Sequence, residues 1–127
     1  MTPEVEEAVR EIREAFPDHQ VDVVPEAQGG AYVVVRDLTI GDHYVPPTTW
    51  VGFLVDFQYP RSDVYPHFID GAIRRADGGA HVAGFSGPTD WRGIRTVQIS
   101  RRSNRWQPAV DTAVTKLLKV QQWIREQ

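Results

Sequence analysis

The sequence of 127 residues contains no cysteine. This absence excludes disulfide bonds, cysteine-ligated zinc and iron–sulfur sites, and any reaction that uses a thiolate as its nucleophile. No apolar run approaches the roughly 18 consecutive residues that a membrane-spanning helix needs. The chain also starts with acidic and polar residues, where a secretory signal needs basic residues and then an apolar segment. The sequence therefore predicts a cytoplasmic protein that does not enter a membrane.

An excess of charge of one sign is also missing. Charged residues make up 24% of the chain and the formal net charge is -3, so the balance implies neither general nucleic-acid binding nor adhesion to a membrane. The hydrophobic fraction of 41% is enough to bury one core. We therefore expect residues 1–127 to form a single domain.

Metal-ligand motifs are absent as well. The histidines are His19, His43, His67 and His81, and none is paired with a second ligand at the spacing that a zinc motif requires. The glycines at 78–79 and at 84 and 87 are not followed by the lysine of a phosphate-binding loop. We therefore predict no metal ion and no cofactor.

Two helices are predicted at the ends of the chain. Over residues 3–16 the apolar residues recur at the 3-4-3-4 spacing of a one-sided stripe, Thr2 suits the N-cap, and Pro17 favours an end at Phe16. The second helix is expected to start at Pro108. Its predicted inner face consists of Val110, Ala113, Val114, Leu117, Leu118, Gln121 and Ile124.

Between the helices, runs rich in β-branched and aromatic residues predict four strands, over residues 20–25, 31–40, 50–59 and 67–74. In the third run Val51, Phe53, Val55, Phe57 and Tyr59 alternate with other residues and should share one face. Short connections favour an antiparallel meander. Residues 77–105 are rich in glycine and predict a long irregular segment with at most a short strand near residues 96–100. The predicted class is α+β.

Two motifs make this order of elements more specific. The segment Tyr59-Pro60-Arg61-Ser62-Asp63-Val64-Tyr65-Pro66 follows the third strand, and Trp106-Gln107-Pro108-Ala109 follows the irregular segment. In both their sequence and their order, these motifs resemble the ubiquitin-conjugating enzyme (UBC) family, and most closely its minimal bacterial relatives. The resemblance implies a UBC-like fold over essentially the whole chain, without the last two helices of eukaryotic members.

The resemblance also implies where the catalytic residues of the family would lie. Counting back from Trp106 places the thioester-forming cysteine of the family near Gln98, with Ser100 close by. The His-Pro-Asn motif of the family falls near residues 88–90, where this chain has Pro-Thr-Asp. Neither the nucleophile nor the asparagine is present, so the resemblance predicts a catalytically inactive domain that binds a ubiquitin-like protein or another component of a conjugation pathway.

Arginine is concentrated between Trp91 and Trp106, where no acidic residue occurs. These arginines are Arg92, Arg95, Arg101, Arg102 and Arg105. Because guanidinium groups bind carboxylates and phosphates through paired hydrogen bonds, the last four residues of this set are the predicted partner-binding site. The other interpretation is a solvated loop whose charge balances the glutamates of the first helix.

Two further functions stay open on the sequence. An enzyme with a hydroxyl nucleophile would use Ser86, Ser100 or Ser103, with Asp90 or His81 as the helper. A nucleic-acid-binding domain would use the arginines and would bind with a steep dependence on salt.

Overall fold

The computed structural model describes residues 1–127 and contains two helices and eight strands. Helix α1 spans Pro3–Ala15, and its N-terminus is capped by Thr2, whose hydroxyl accepts a hydrogen bond from the Val5 amide at 3.1 Å. The stripe predicted from the sequence is buried, and the chain leaves the helix at Phe16. The prediction for this helix is confirmed to within one residue.

Six strands form one antiparallel sheet in the order β1-β2-β4-β5-β8-β7. Their bounds are β1 Val21–Pro25, β2 Ala31–Thr39, β4 Thr48–Val55, β5 His67–Asp70, β7 Phe85–Trp91 and β8 Ile94–Ile99. Two short strands, β3 Tyr44–Val45 and β6 Arg74–Arg75, pair separately. The α+β class and the antiparallel connections are as predicted, but the prediction of four strands is wrong because the sheet has six.

The third predicted strand is too long. Strand β4 ends at Val55 because Asp56 starts a turn, in which its carboxylate accepts hydrogen bonds from the Gln58 amide and the Ser62 hydroxyl at 2.8 and 2.7 Å. Phe57 is consequently exposed rather than on the inner face. The fourth predicted strand is also divided, since β5 ends at Asp70 and residues 74–75 belong to β6.

The segment that the sequence predicts to be irregular contains a β-hairpin. Strands β7 and β8 are joined by Arg92 and Gly93, both of which have positive φ angles (55° and 80°) and so form a tight two-residue turn. Strand β8 then pairs with β5. The hairpin therefore extends the sheet beyond the four predicted strands.

The start of the last helix also differs from the prediction. Helix α2 spans Ala113–Arg125 and is capped by Thr112, while Pro108 lies in a preceding turn closed by the Asp111 carboxylate, which accepts a hydrogen bond from the Gln107 amide. Val110 is therefore outside the helix and 68% exposed, and Leu118 also faces solvent. The inner face consists of Ala113, Lys116, Leu117, Val120 and Ile124.

The two helices share one core with the inner face of the sheet, to which β4 contributes Val51, Phe53 and Val55. On the outer face, the Trp91 ring stacks on Phe68 with ring centroids 4.8 Å apart. Glycine at position 52 makes this possible, since a Cβ there would lie 2.4 Å from the indole. The indole thus fixes the β7–β8 hairpin against the sheet. No helix has the length and apolar character needed to cross a membrane.

Candidate functional site

The two motifs that carry the resemblance meet in the structure. The Trp106 indole donates a hydrogen bond to the Pro60 carbonyl at 2.6 Å, and the Tyr59 hydroxyl accepts one from the Ala113 amide at the start of α2 at 3.0 Å. Residues 59–66 and 101–112 are thereby held against each other and against α2.

A cleft of about 590 Å³ opens beside this junction, between residues 101–107 and helix α2. We call it the arginine cleft. Its basic residues are Arg101, Arg102, Arg105, Lys116 and Lys119, and its single acidic residue is Asp111. On the α2 side of the cleft, Trp123 contributes apolar surface and Val120 is almost completely buried.

One of the lining residues, Lys116, forms a buried ion pair with Asp63, which lies behind the wall of the cleft. The Lys116 ammonium, whose side chain is 4% exposed, lies 3.0 Å from both carboxylate oxygens of Asp63 and 2.7 Å from the Ser103 hydroxyl. Asp63 also accepts a hydrogen bond from the Ser103 amide at 2.7 Å. Asp63 therefore fixes the backbone of the segment that carries the arginines.

Two of the arginines rest on aromatic rings. The Arg101 guanidinium lies 4.6 Å from the centroid of the Trp123 ring, and that of Arg102 lies 4.7 Å from the centroid of Tyr65. Such cation–π contacts hold the plane of the guanidinium while its N–H groups stay available to a ligand. Arg101, Arg102 and Arg105 form no ion pair within the chain.

No glutamate of α1 forms an ion pair with Arg101, Arg102 or Arg105. The α1 ion pairs are internal to the helix and join Arg10 to Glu7 and to Glu14. The structure therefore shows no ion pair between the arginine segment and the acidic first helix, and the interpretation that their charges balance at longer range stays a prediction.

A buried imidazole lies close to the Asp63–Lys116 pair. His67 is 0% exposed, its ring centroid is 5.1 Å from that of Phe53, and neither ring nitrogen has a hydrogen-bond partner. Burial, and secondarily the Lys116 charge, lowers the pKa of His67 to about 3, although the Asp63 carboxylate opposes the shift. The imidazole is therefore neutral near pH 7.

Arg92 and Arg95 do not line the arginine cleft. Arg92 lies at the turn of the β7–β8 hairpin, with its guanidinium 4.1 Å from the centroid of the Tyr32 ring. Arg95 is exposed and lies opposite Asp90 in the register of the hairpin, but the two side chains form no ion pair. The arginines that form one cluster in the sequence are thus divided between the cleft and the hairpin turn.

The residues predicted as a hydroxyl-based catalytic site are not brought together. Ser100 follows the end of β8, whereas Asp90 lies opposite Arg95 near the other end of that strand, roughly 16 Å away at 3.3 Å per residue. The His81 ring is hydrogen-bonded to the Ile73 carbonyl. The Ser100 hydroxyl has a single side-chain partner, the Gln98 amide at 3.3 Å.

The two remaining positions of interest are Gln98, where the resemblance places the family's cysteine, and Ser103. Gln98 is half-buried in β8 and faces Phe68 and Ser86 across the sheet. The Ser103 hydroxyl donates a hydrogen bond to the Asp63 carboxylate at 3.2 Å and accepts one from the Lys116 ammonium at 2.7 Å. The same carboxylate accepts two hydrogen bonds from Lys116 and one from the Ser103 amide, so these contacts hold Ser103 in the buried ion pair.

Sequence reasoning missed Asp63, Lys116 and His67. A signal for Lys116 was available, because it occupies a position on the apolar stripe of α2 between Ala113 and Val120. A lysine at such a position needs a buried partner. Nothing in the sequence indicates that the partner is Asp63.

The structure is an α+β domain with an antiparallel sheet, two helices and a basic cleft. The chain matches the family described as Prokaryotic E2 family E over residues 13–127 and belongs to that family. This match confirms the resemblance to prokaryotic relatives of ubiquitin-conjugating enzymes, and it places the chain in the context of ubiquitin-like conjugation. No curated protein and no solved structure matches it.

Proposed function

We propose that this chain is a single, UBC-like domain that does not transfer a ubiquitin-like protein but binds one, or another component of the same conjugation pathway. The observation that carries the proposal is the arginine cleft, where Arg101, Arg102 and Arg105 have no carboxylate partner in the chain. Membership of the prokaryotic E2 family supports a role in ubiquitin-like conjugation. A chain without cysteine has no thiol that could form a thioester.

The proposed partner surface extends from the arginine cleft to Arg95 on the β7–β8 hairpin. A standard interface covers about 800 Å² on each partner, a patch roughly 30 Å across. Arg95 precedes Arg101 by six residues, which span at most roughly 20 Å of extended chain. Arg101, Arg102 and Arg105 would form its centre and Arg95 its edge.

We expect no thioester on this chain. When it is incubated with an activating enzyme, a nucleotide and the ubiquitin-like protein encoded nearest to its gene, mass spectrometry should detect no covalent adduct that an added thiol can cleave by acyl exchange. An adduct that resists thiols but is cleaved by hydroxylamine would indicate an ester and would support a serine nucleophile instead.

We expect the double substitution Arg101→Ala/Arg102→Ala to weaken partner binding at least tenfold, or about 1.4 kcal/mol. The expected loss of stability is only about 1 kcal/mol, because the substitutions remove exposed cation–π contacts and no ion pair. Binding can be measured by calorimetry, and stability by thermal unfolding.

The matched control is Arg74→Ala/Arg125→Ala, which removes the same charge from exposed arginines outside the cleft. The control should bind like the unchanged protein. An equal loss of affinity in both variants would mean that net charge, rather than the cleft, governs binding. Full affinity after the cleft substitution would contradict the proposal.

A further inference from the structure

The charge of the arginine cleft points to the chemistry of its ligand. The whole chain carries a net charge of -3, yet the cleft gathers Arg101, Arg102, Arg105, Lys116 and Lys119. Asp63 neutralises Lys116, and Asp111 lies 3.8 Å from Lys119. Three guanidinium groups therefore remain without a counter-charge. Their mutual repulsion favours an anionic ligand.

Two of these three guanidinium groups contact aromatic rings of the chain. The Trp123 and Tyr65 rings hold the side chains of Arg101 and Arg102, and the Ser103 amide between Arg102 and Asn104 is tied to Asp63 at 2.7 Å. A ligand would thus bind with little cost for ordering the loop or the arginine side chains. Planar guanidinium groups with free N–H edges match the two oxygens of a carboxylate.

The surroundings of the cleft limit the length of the anion. Asp111 also lines a second groove of about 350 Å³, which holds Glu4, Glu7 and Glu11 of α1. We call this the acidic groove. A long polyanion such as a nucleic acid that left the cleft on this side would meet Glu4 and Glu11, which form no ion pair in the chain, and would be repelled.

The apolar residues of the cleft favour a peptide. Val110 is 68% exposed at the rim, and Trp123 is half-buried on the α2 wall. These side chains offer contact to the aliphatic parts of a peptide. A nucleic-acid base would need a free aromatic face for stacking, whereas the Trp123 ring already contacts the Arg101 guanidinium at 4.6 Å and the Phe85 ring at 5.3 Å.

We propose that the arginine cleft binds a short acidic segment of the partner protein, with its carboxylates hydrogen-bonded to Arg101, Arg102 and Arg105. This inference rests on the proposed function in taking the ligand to be part of a protein. It adds that the recognised group is a run of carboxylates and that the segment ends or changes charge before the acidic groove.

The direct test uses a fluorescent peptide of alternating glutamate and glycine, the same peptide with glutamine, and a single-stranded oligonucleotide of equal charge. We expect the glutamate peptide to bind at least tenfold more tightly than the other two. Arg101→Ala/Arg102→Ala should weaken glutamate-peptide binding at least tenfold, while Arg74→Ala/Arg125→Ala should leave it unchanged. Equal binding of the glutamate and glutamine peptides, or tighter binding of the oligonucleotide, would overturn the inference.

A competition experiment separates this inference from the proposed function. The unlabelled glutamate peptide should displace the bound ubiquitin-like protein, or other pathway component, from the domain. A partner that binds but is not displaced would refute the acidic-segment inference and leave the proposed function standing. Peptide binding without binding of any pathway component would refute the proposed function instead.

Discussion

The substitution Lys116→Met is expected to lower the free energy of unfolding by about 3–5 kcal/mol, because it leaves the Asp63 carboxylate without its partner in a largely buried position. The Lys116 side chain is 4% exposed and that of Asp63 is 15% exposed, so water cannot replace the lost ammonium group effectively. Urea denaturation at pH 7, followed by circular dichroism, measures the change directly.

The double substitution Asp63→Asn/Lys116→Met is the matched control. Asparagine removes the charge but keeps an oxygen that can accept the Ser103 amide hydrogen bond. We expect the double variant to be more stable than Lys116→Met alone, since an uncharged pair avoids the unpaired buried carboxylate. A loss below about 1 kcal/mol for Lys116→Met would show that the ion pair contributes little.

The free energy of unfolding is expected to fall as the pH is lowered below 6.5, before the pH reaches the range in which carboxylates titrate. In the folded state, burial keeps the pKa of His67 near 3, against the ordinary value of 6.5 that applies to the unfolded chain. The unfolded state therefore binds a proton that the folded state excludes as the pH falls below 6.5. Stability should be fully present above that pH and decrease by up to about 1.4 kcal/mol per pH unit on the way to pH 3.

The variant His67→Leu tests this assignment with a side chain of similar size. Between pH 6.5 and pH 5, the unchanged protein should lose roughly 1.5 kcal/mol of unfolding free energy. The variant should be nearly insensitive over the same interval. A variant with the same pH dependence as the unchanged protein would show that another group causes it.

The first helix and the inner residues of the early strands could be predicted because their signals are local. The apolar spacing of α1, its cap at Thr2 and the stop before Pro17 all lie within one segment of the chain. The alternation of Val51, Phe53 and Val55 is likewise a property of consecutive residues. Here the local conformational preference and the burial pattern agree.

The β7–β8 hairpin could not be predicted in the same way. Strand β7 contains Gly87 and Pro88, which are poor strand residues, and its register with β8 is interrupted there. It forms because β8 is paired on its other side with β5, and because the Trp91 indole packs on Phe68 over Gly52. These contacts join segments that are distant in sequence.

For the candidate site too, some features could be predicted from the sequence and others required the tertiary structure. The sequence by itself determined that the chain has no thiol, that it resembles the E2 family, and that its arginines are concentrated between Trp91 and Trp106. Only the tertiary structure decided that Arg101, Arg102 and Arg105 face one cleft while Arg92 and Arg95 lie on the hairpin. It also decided that Lys116 is buried, because the partner that makes its burial tolerable is Asp63, 53 residues earlier in the chain. Composition and periodicity are properties of short segments, whereas the pairing of buried charges depends on which distant segments the fold brings together.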